Sequence, residues 1–334
     1  MFNKSTILVT GGTGSFGKAF SRSILKLYKP KKIIIFSRDE LKQFDMSNDN
    51  FFKKYKKIMR YFIGDVRDFE RLKTAMSGVD YVIHAAALKQ VVSSEYNPFE
   101  TIKTNIIGAQ NVIDASFYNN VKKIVALSTD KAASPINLYG ASKLASDKLF
   151  VAANNYVGLK NIKFSVVRYG NVMGSRGSVI PLFISQLNEK YINVTHKEMT
   201  RFTLTLDESV KFVINSFKFM KGSEIFVPKI HSYRILDLVK AINPKFKIKF
   251  IGIRKGEKLH EELITKNDAF NTLEYKNYYV IYPYINKSNS PKGKKCAKNF
   301  SYSSDNNKKF MNVKELRKTI IKNVENGKLL KNIN

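Results

Sequence analysis

The chain has 334 residues, 43% of them hydrophobic, and its 58 Lys and Arg against 27 Asp and Glu give a net charge of +31. This length suits a soluble protein of about two domains. No apolar run approaches the ~20 residues of a transmembrane helix, and the single cysteine, Cys296, excludes an internal disulfide. The N-terminus lacks a signal-peptide pattern, so we expect a cytoplasmic protein.

The positive charge is spread along the chain in short clusters such as "KPKK" and "FFKKYKK". No zinc-finger, helix-turn-helix or RNA-binding signature accompanies these clusters. We therefore predict no nucleic-acid and no membrane partner. A positive field would still attract an anionic substrate.

Short apolar runs alternate with amphipathic stretches through the first half of the chain. The runs are "TILVT", "KIIIF", "RYFIGD", "DYVIHAA", "KIVALST" and "KFSVVRYG". Near-continuous Val, Ile and Phe segments are typical of strands buried on both faces. The alternation predicts a Rossmann-like doubly wound parallel sheet of the α/β class. We place a cofactor domain at 1–175 and a smaller substrate-binding subdomain, interleaved with it, at 176–334. The polar segment 286–299 is predicted to be a loop.

A glycine-rich turn follows the first predicted strand in "TGGTGSFG". The spacing of Gly11, Gly14 and Gly17 permits a tight turn and close approach of a pyrophosphate to the next helix. The strand before it and the amphipathic stretch after it favour a dinucleotide site over a plain strand–helix turn. The turn residues expected to bind cofactor are Gly11, Thr13, Gly14, Ser15, Phe16 and Gly17.

The end of the second predicted strand, "IIIFSRDELK", indicates which dinucleotide is bound. An acid placed there would favour NAD, whereas the guanidinium of Arg38 suits the 2′-phosphate of NADP. We predict NADP, with Asp39 serving NAD as the alternative. Further along, Asp65 is placed to reach the adenine, and small residues would pass beneath the cofactor. Ordinary packing between sheet and helix is the other interpretation of these small residues and of Asn105. The full set expected at this part of the cofactor is Ser37, Arg38, Asp39, Lys42, Asp65, Val66, Ala85, Ala86 and Asn105.

Tyr139 and Lys143 lie one helical turn apart in "STDKAASPINLYGASK". An ammonium near a phenol lowers the phenol pKa toward the working range, and the lysine can also hold the nicotinamide ribose. Asp130 and Lys131 come just upstream, and a simple alcohol dehydrogenase has no use for that acid and potential base. A solvated turn pair is the other interpretation of these two residues.

These motifs resemble the extended short-chain dehydrogenase/reductase family, in its nucleotide-sugar-modifying branch. The segments "GGTGSFGKAF", "SRDELKQ", "VVRYGNVMGSRGSVIP" and "GIRKGEKLHEE" look most like its C5-inverting UDP-N-acetylglucosamine 4,6-dehydratases, which serve pseudaminic acid-type surface glycans. The resemblance covers residues 6 to about 310. Gln90 and Val92 stand where this branch would have His and Pro.

The resemblance implies a hydride transfer from C4 to a tightly held NADP, loss of water across C5 and C6, and return of the hydride to C6. Tyr139 would be the base at C4, Lys131 the base at C5 and Asp130 the acid, although sequence does not fix the division between the last two. The catalytic set is therefore Thr129, Asp130, Lys131, Tyr139 and Lys143.

Substrate contacts are implied in the same way, and an arginine fork suits diphosphate oxygens. The residues implied are Lys89, Asn171, Val179, Thr195, Arg254 and Glu257. His84 and His260 have no partners at metal-ligand spacing, so no metal is expected, and the enzyme is expected to be a homo-oligomer. A UDP-sugar 4-epimerase, which needs Tyr139 but not Asp130 and Lys131, and a non-catalytic NADP-binding protein remain the alternatives.

Overall fold

A ten-stranded sheet forms the centre of the computed structural model, which describes residues 1–158, 160–175, 177–283 and 292–333. Part of the predicted loop 286–299 thus lies outside the described residues. The strands are β1 Thr6–Thr10, β2 Lys32–Ser37, β3 Met59–Ile63, β4 Tyr81–His84, β5 Lys123–Thr129, β6 Lys163–Tyr169, β7 Asn171–Val172, β8 Tyr191–Val194, β9 Thr200–Leu204, β10 Ile225–Pro228, β11 His231–Arg234, β12 Lys247–Phe250, β13 Glu262–Ile264, β14 Thr272–Glu274, β15 Tyr278–Ile281, β16 Lys294–Lys295 and β17 Tyr302–Ser303.

The strand order β3-β2-β1-β4-β5-β6, all parallel, confirms the predicted doubly wound sheet. Strand β10 continues it in parallel, and β15, β14 and β16 add antiparallel strands at that edge. Every residue of β1 is buried, which explains its unbroken apolar sequence. In this topology the connections reverse direction between β1 and β4, and a ligand crevice opens at the carboxyl ends of those strands.

Helices cover both faces of this sheet. Helices α1 and α10 pack together on one face, while α4, α7 and α8 pack on the other. The helices are α1 Ser15–Leu27, α2 Glu40–Asn48, α3 Asn50–Lys53, α4 Phe69–Ala75, α5 Val91–Tyr96, α6 Pro98–Ile102, α7 Gly108–Tyr118, α8 Leu138–Ala152, α9 Val179–Ser185, α10 Leu206–Phe219, α11 Ile235–Ile242, α12 Lys266–Ala269 and α13 Val313–Asn323, with a π-helical turn at Lys103–Ile107 and 3-10 turns at Asp130–Ala132, Ala153–Asn155 and Gly327–Asn332.

The buried apolar residues form two separate cores. The larger surrounds the ten-stranded sheet, and the smaller joins α9, β8, α11 and α13. The chain leaves the large sheet after β6 and returns to it for α10, β10 and β14–β16. Residues 176–334 therefore contribute to both cores, and the site between the cores draws side chains from both parts of the chain. Within the described residues, no helix has the length and apolarity that a membrane span requires.

Candidate active site

A cleft of about 1390 Å³ runs along the carboxyl ends of the central strands and on toward the smaller core. Of the residues that the sequence analysis assigned to cofactor, substrate and catalysis, all but Asp130 and Asn105 line it. Residues 1–175 and 176–334 both contribute to its walls. Tertiary folding thus brings together side chains as distant in sequence as Gly11 and Glu257.

The glycine turn at one end of the cleft is shaped for a phosphate. Gly11 has φ +64°, and a Cβ there would come within 2.9 Å of the Ala85 carbonyl group, so the position requires glycine. Gly14 is the N-cap of α1, and no side chain caps that helix or places an acid in its first turn. The first backbone N–H groups of α1 are therefore available to an anion.

Two cationic side chains stand beside this turn. Arg38 lies 3.7 Å from Asp65 and is half exposed, and the Lys42 ammonium contacts the Asp39 carboxylate. Asp39 also accepts a hydrogen bond from the Lys42 backbone N–H and so caps α2. The hydrogen bonds from Lys42 lower the pKa of Asp39. Arg38, Asp39 and Lys42 all line this mouth of the cleft, and the contact with Lys42 offsets the negative charge of Asp39 there.

Asp65 is engaged by arginine side chains rather than left open. Arg67 donates to it at 2.7 Å, and these bonds, working against burial, lower the pKa of Asp65. Its neighbour Val66 lines the cleft as predicted. The Asp65 carboxylate would have to divide its hydrogen bonds between the two arginines and an adenine ring.

Asn105 lies behind the cleft wall. Its side-chain oxygen accepts from the Leu88 backbone N–H at 2.8 Å, and its amide donates to the Leu88 carbonyl and to Ser142 Oγ, both at 2.9 Å. The side chain therefore ties the loop after β4 to helix α8. Asn105 thus positions this loop against α8, and its contact with a cofactor stays a prediction.

Tyr139 and Lys143 extend into the cleft from the first turns of α8, whose N-cap is Asn137. Burial raises the pKa of Tyr139 to about 12, although Lys131 and a hydrogen bond with Thr129 act in the opposite direction. The net lowering expected from sequence is therefore not found, because burial outweighs the neighbouring charge. Lys143 is 3% exposed, and burial lowers its pKa.

Asp147 lies one helical turn beyond Lys143 on α8, and its charge acts to raise the pKa of Lys143. The Asp147 carboxylate accepts from Ser128 Oγ at 2.7 Å and pairs with Arg168 at 3.3 Å, with all three side chains buried. Burial raises the pKa of Asp147, while Arg168 and Lys143 act against that rise. The sequence analysis missed Asp147 and Arg168, although Asp147 continues the i, i+4 series of Tyr139 and Lys143.

Lys131 lies between two carboxylates at the centre of the cleft. Its Nζ is 3.0 Å from Asp130 Oδ1 and 3.1 Å from Glu261 Oε1. Burial acts against its charge, but Asp130 and Glu261 together raise the pKa of Lys131. Asp130 itself is wholly buried, and burial raises the pKa of its carboxyl. The pair is thus an internal cluster, and the alternative of a solvated turn does not fit.

Thr129 links this cluster to the cleft. Its hydroxyl donates to Asp130 Oδ1 at 3.0 Å and accepts from the Lys131 backbone N–H at 3.3 Å. Thr129 lines the cleft, whereas Asp130 does not. Protons from Asp130 can therefore reach the cleft through the Thr129 hydroxyl or past Lys131.

The predicted substrate residues line the cleft from both parts of the chain, Lys89 and Asn171 from residues 1–175 and the others from residues 176–334. Glu257 pairs with Arg201 at 3.4 Å, and the Arg254 side chain is exposed with no ion pair among the described residues. Burial lowers the pKa of Lys89. Thr195 donates to the Met199 sulfur at 3.1 Å, and Asn171 and Val179 also line the cleft. Arg201 and Glu261 were not assigned from sequence, although Glu261 belongs to the quoted segment "GIRKGEKLHEE".

Among the described residues, neither His84 nor His260 belongs to a cluster of possible metal ligands. His84 is buried against Thr10 at 2.9 Å, and burial, together with Lys143, lowers its pKa to about 3. His260 lies 2.8 Å from Thr200. In the part of the chain that the structure describes, no three His, Cys, Asp or Glu side chains are grouped so as to hold a metal ion.

The family model described as "Polysaccharide biosynthesis protein" matches residues 7–283. The chain belongs to this family. The resemblance to extended short-chain dehydrogenases/reductases drawn from the sequence is thereby confirmed. Among curated proteins, the "UDP-N-acetylglucosamine 4,6-dehydratase (inverting)" of Campylobacter jejuni serotype O:2 is 57% identical, over 96% of this chain and 98% of that protein.

Two other relatives show how far the family extends. A "UDP-glucose 4-epimerase" of Rickettsia bellii is 43% identical over 96% of each chain. The X-ray structure of Pen from Bacillus thuringiensis superimposes with a TM-score of 0.87 at 40% identity, covering 96% of this chain and 99% of Pen. Relatives of both reaction types therefore align along nearly the whole chain, and the residues in the cleft must distinguish between the two reactions.

Proposed function

We propose that this chain is a UDP-N-acetylglucosamine 4,6-dehydratase, a hydro-lyase that inverts C5 and yields a UDP-2-acetamido-2,6-dideoxy-hexos-4-ulose. The observation that carries the proposal is the presence of two separate proton-transfer sets in one cleft. Tyr139 with Lys143 forms the first set, and Lys131 with Asp130 forms the second. Oxidation at C4 needs only the first set, whereas elimination across C5 and C6 needs another acid and base. The C. jejuni relative supports the choice of substrate.

The cleft fits a nicotinamide dinucleotide. The Gly11–Gly17 turn and the uncapped start of α1 would hold its diphosphate, Arg38 and Lys42 a 2′-phosphate, and Lys143 the nicotinamide ribose. We therefore propose NADP rather than NAD. When bound, it accepts a hydride from C4 and returns it to C6, so it is regenerated within each turnover and can remain bound.

Tyr139 removes the proton of the C4 hydroxyl in the first step. Burial raises its pKa to about 12 even though the positive charge of Lys131 and the hydrogen bond with Thr129 act to lower it. Both are next to it in the same cleft. The 4-ketone that forms makes the C5 proton acidic.

Elimination then uses the second set. Lys131 takes the C5 proton, and Asp130 supplies a proton to the departing C6 oxygen, so that the C6–O bond breaks and water leaves. Burial raises the pKa of Asp130, which favours the protonated form that an acid requires. Thr129, in contact with both Asp130 and the cleft, carries that proton through its hydroxyl.

The nucleotide half of the substrate would lie along the wall from residues 176–334. We propose that Arg254 pairs with the diphosphate and that Glu257, oriented by Arg201, accepts from the ribose or uracil. Lys89 would contact the substrate from the opposite wall. The remaining proposed contacts are Asn171, Val179 and Thr195.

Replacing one member of each set tests this assignment. Tyr139→Phe should form no ketone and no NADPH on mixing with NADP⁺ and UDP-N-acetylglucosamine. Lys131→Ala should still oxidise C4, so NADPH absorbance should accumulate, because removing a general base slows elimination by roughly 10²–10⁴-fold. Deuterium uptake at C5 should be absent in both variants. If Lys131→Ala dehydrates at the wild-type rate, the second set is not catalytic.

A UDP-sugar 4-epimerase is the second candidate, and the R. bellii relative favours it. Epimerisation inverts C4 without opening C5, so it leaves no role for Lys131 and Asp130. Mass spectrometry and proton NMR of the product, with solvent deuterium at C5, decide between the two reactions. A non-catalytic NADP-binding protein would give no product at all.

We further propose a homo-oligomeric, cytoplasmic enzyme that serves bacterial surface glycans of the pseudaminic acid type. Helices α5 and α6 leave large apolar side chains in solvent, with Val92 79%, Tyr96 86% and Phe99 60% exposed. Burying such a patch against another copy would remove apolar area from water. Light scattering tests the oligomer, and loss of the glycan in a deletion strain tests the pathway.

A further inference from the structure

Glu261 is a buried carboxylate in direct contact with Lys131, and the steps described above give it no role. Its side chain is 3% exposed and its Oε1 lies 3.1 Å from Lys131 Nζ. Its second oxygen, Oε2, is buried without a hydrogen-bond partner among the described residues, and the residue lines the cleft. A buried carboxylate oxygen without a partner is costly, so its presence at the cleft requires an explanation.

The backbone holds Glu261 firmly in this place. Its N–H donates to Ser304 Oγ at 2.9 Å, and its carbonyl accepts from the Ser304 N–H at 2.8 Å. Ser304 is itself buried and bonded to Thr200 at 2.7 Å. The Glu261 carboxylate is therefore positioned before substrate arrives.

Lys131 faces a chemical difficulty as the C5 base. An amine removes a proton only when it is neutral, yet the two carboxylates beside Lys131 stabilise its charged form. The Lys131 side chain is only 23% exposed, and substrate in the cleft would separate it further from water that could take the proton. An acceptor already in contact with Nζ removes the difficulty.

We propose that Glu261 is this acceptor. One N–H bond of the Lys131 ammonium breaks, its electron pair stays on Nζ, and the proton forms an O–H bond with Glu261 Oε1. Lys131 is then a neutral amine that can take the C5 proton, and Glu261 acts through Lys131 without touching a reacting carbon. This inference rests on the proposed dehydratase function.

The proton count of the turnover closes with this step included. The substrate gives up two protons, from the C4 hydroxyl and from C5, and takes up two, on the departing water and at C5 of the product. The proton held by Glu261 comes from Lys131 and returns to Lys131 before the next turnover, so it does not enter the count for the substrate. No oxidant, reductant or further reactant is needed.

Asp130 is the weaker candidate for the acceptor. Its Oδ1 already accepts from Thr129 and Lys131, it does not line the cleft, and the proposed mechanism already uses it as the acid. Glu261 has Arg201 3.9 Å away as a second cation, and Lys131 and Arg201, working against burial, lower its pKa. Glu261 also lines the cleft beside Lys131, whereas Asp130 does not.

Substrate binding favours the transfer. Filling the cleft excludes water, and in the drier site a neutral amine with a neutral acid is less costly than a separated charge pair. The transfer moves a proton between Lys131 and Glu261 only, so the net charge of the site is unchanged. The other titratable and charged groups that face these two residues keep their protons. These groups are Asp130, Tyr139, Arg201, Tyr233, Glu257 and Lys258.

Glu261→Gln separates proton transfer from positioning, because glutamine keeps the size and an acceptor oxygen but cannot take the proton. The measurement is the transient NADPH absorbance in a single turnover with UDP-N-acetylglucosamine between pH 6.5 and 8.5. The rise of the transient reports C4 oxidation, and its decay reports the steps after it. Glu262→Gln is the matched control, since Glu262 is the next residue and bonds Ser134 outside the cluster.

In wild type and Glu262→Gln, the decay should be fast and should change little with pH. In Glu261→Gln, the rise should stay within a few-fold of wild type, while the decay at pH 7 should slow by roughly 10²-fold or more. The decay of this variant should also quicken by about tenfold per pH unit, because Lys131 must now lose its proton to solvent. Glu261→Asp keeps a carboxyl group and should restore a decay that varies little with pH.

A purely structural role for Glu261 would slow the decay equally at every pH, and that parallel profile would overturn the inference while leaving the dehydratase assignment intact. A wild-type decay rate in Glu261→Gln would overturn it as well. If Glu261→Gln loses cooperative thermal melting, Glu261→Asp decides, and a tenfold rise per pH unit in that variant refutes the inference. A wild-type enzyme that makes no 4-keto product overturns the proposed function, and the inference with it.

Discussion

Gly140 fixes the distance between Tyr139 and Lys131, and adding one methyl group there should damage activity far more than stability. A Cβ at Gly140 would lie under 3.0 Å from the Lys131 carbonyl oxygen, which is backbone and cannot rotate away. Ordinary contact is 3.4 Å or more, so α8 and the 3-10 turn Asp130–Ala132 would have to separate by roughly an ångström.

The two consequences of Gly140→Ala differ in size. Overpacking costs about 1–3 kcal/mol, whereas alanine returns about 1 kcal/mol of helix propensity, so the free energy of unfolding should fall by only ~0–2 kcal/mol. A displacement of about 1 Å between reacting groups costs ~10²-fold in rate. We therefore expect kcat for dehydration to fall by about two orders of magnitude while the thermal midpoint moves little.

Ala141→Gly is the matched control, because Ala141 is exposed in the same helical turn. It should cost about 1 kcal/mol of helix stability without pushing α8 from the turn, and activity should be retained. Steady-state dehydration by product NMR and thermal melting by circular dichroism are measured on both variants. Wild-type kcat in Gly140→Ala, or an equal loss of activity in Ala141→Gly, would refute the reasoning.

Arg38→Asp should weaken NADP binding by about 1–3 kcal/mol, measured by calorimetry against NAD, and unchanged NADP affinity would remove Arg38 from the 2′-phosphate. The net charge of +31 should speed association of a UDP-sugar at low ionic strength, and a stopped-flow rate constant independent of salt would exclude this steering. His84 has a pKa lowered to about 3 by burial, so the unfolded chain binds its proton first as the pH falls below about 6.5. His84 should therefore contribute stability above pH 6.5 that declines by up to ~1.4 kcal/mol per pH unit toward pH 3. In denaturant melts between pH 5 and 6.5, this slope should be shallower in His84→Gln, and equal slopes would contradict the assignment.

The elements that carry the cofactor motif follow directly from local sequence. Strand β1 is buried along its whole length and β5 at four of its seven residues, as their apolar runs predict. The turn at Gly11 requires a positive φ and close contact with Ala85, and only glycine meets both conditions. The pair Tyr139 and Lys143 needs only the 3.6-residue period of a helix to share a face.

The pKa of Tyr139 and the role of Asn105 depended on burial that spacing does not reveal. Sequence places Lys143 one turn from the phenol, but the charge that acts to lower the Tyr139 pKa is that of Lys131, and burial outweighs it. Asn105 follows the segments assigned to the cofactor in the sequence, yet its side-chain amide is hydrogen-bonded to Leu88 and Ser142. Desolvation and hydrogen-bond competition are both properties of the packed interior.

The sequence by itself indicated the buried strands, the glycine turn and the two residue pairs proposed for proton transfer, because each of these shows in a short stretch of neighbouring residues. Tertiary structure alone decided that Glu261 lies 3.1 Å from Lys131 and that Arg201 supports it. Glu261 is 130 residues further along the chain, and its place depends on β13 pairing with β17 and on the contacts of Ser304. Local patterns report the period of a helix or strand, whereas contacts between distant segments are fixed only when the two cores pack around the cleft.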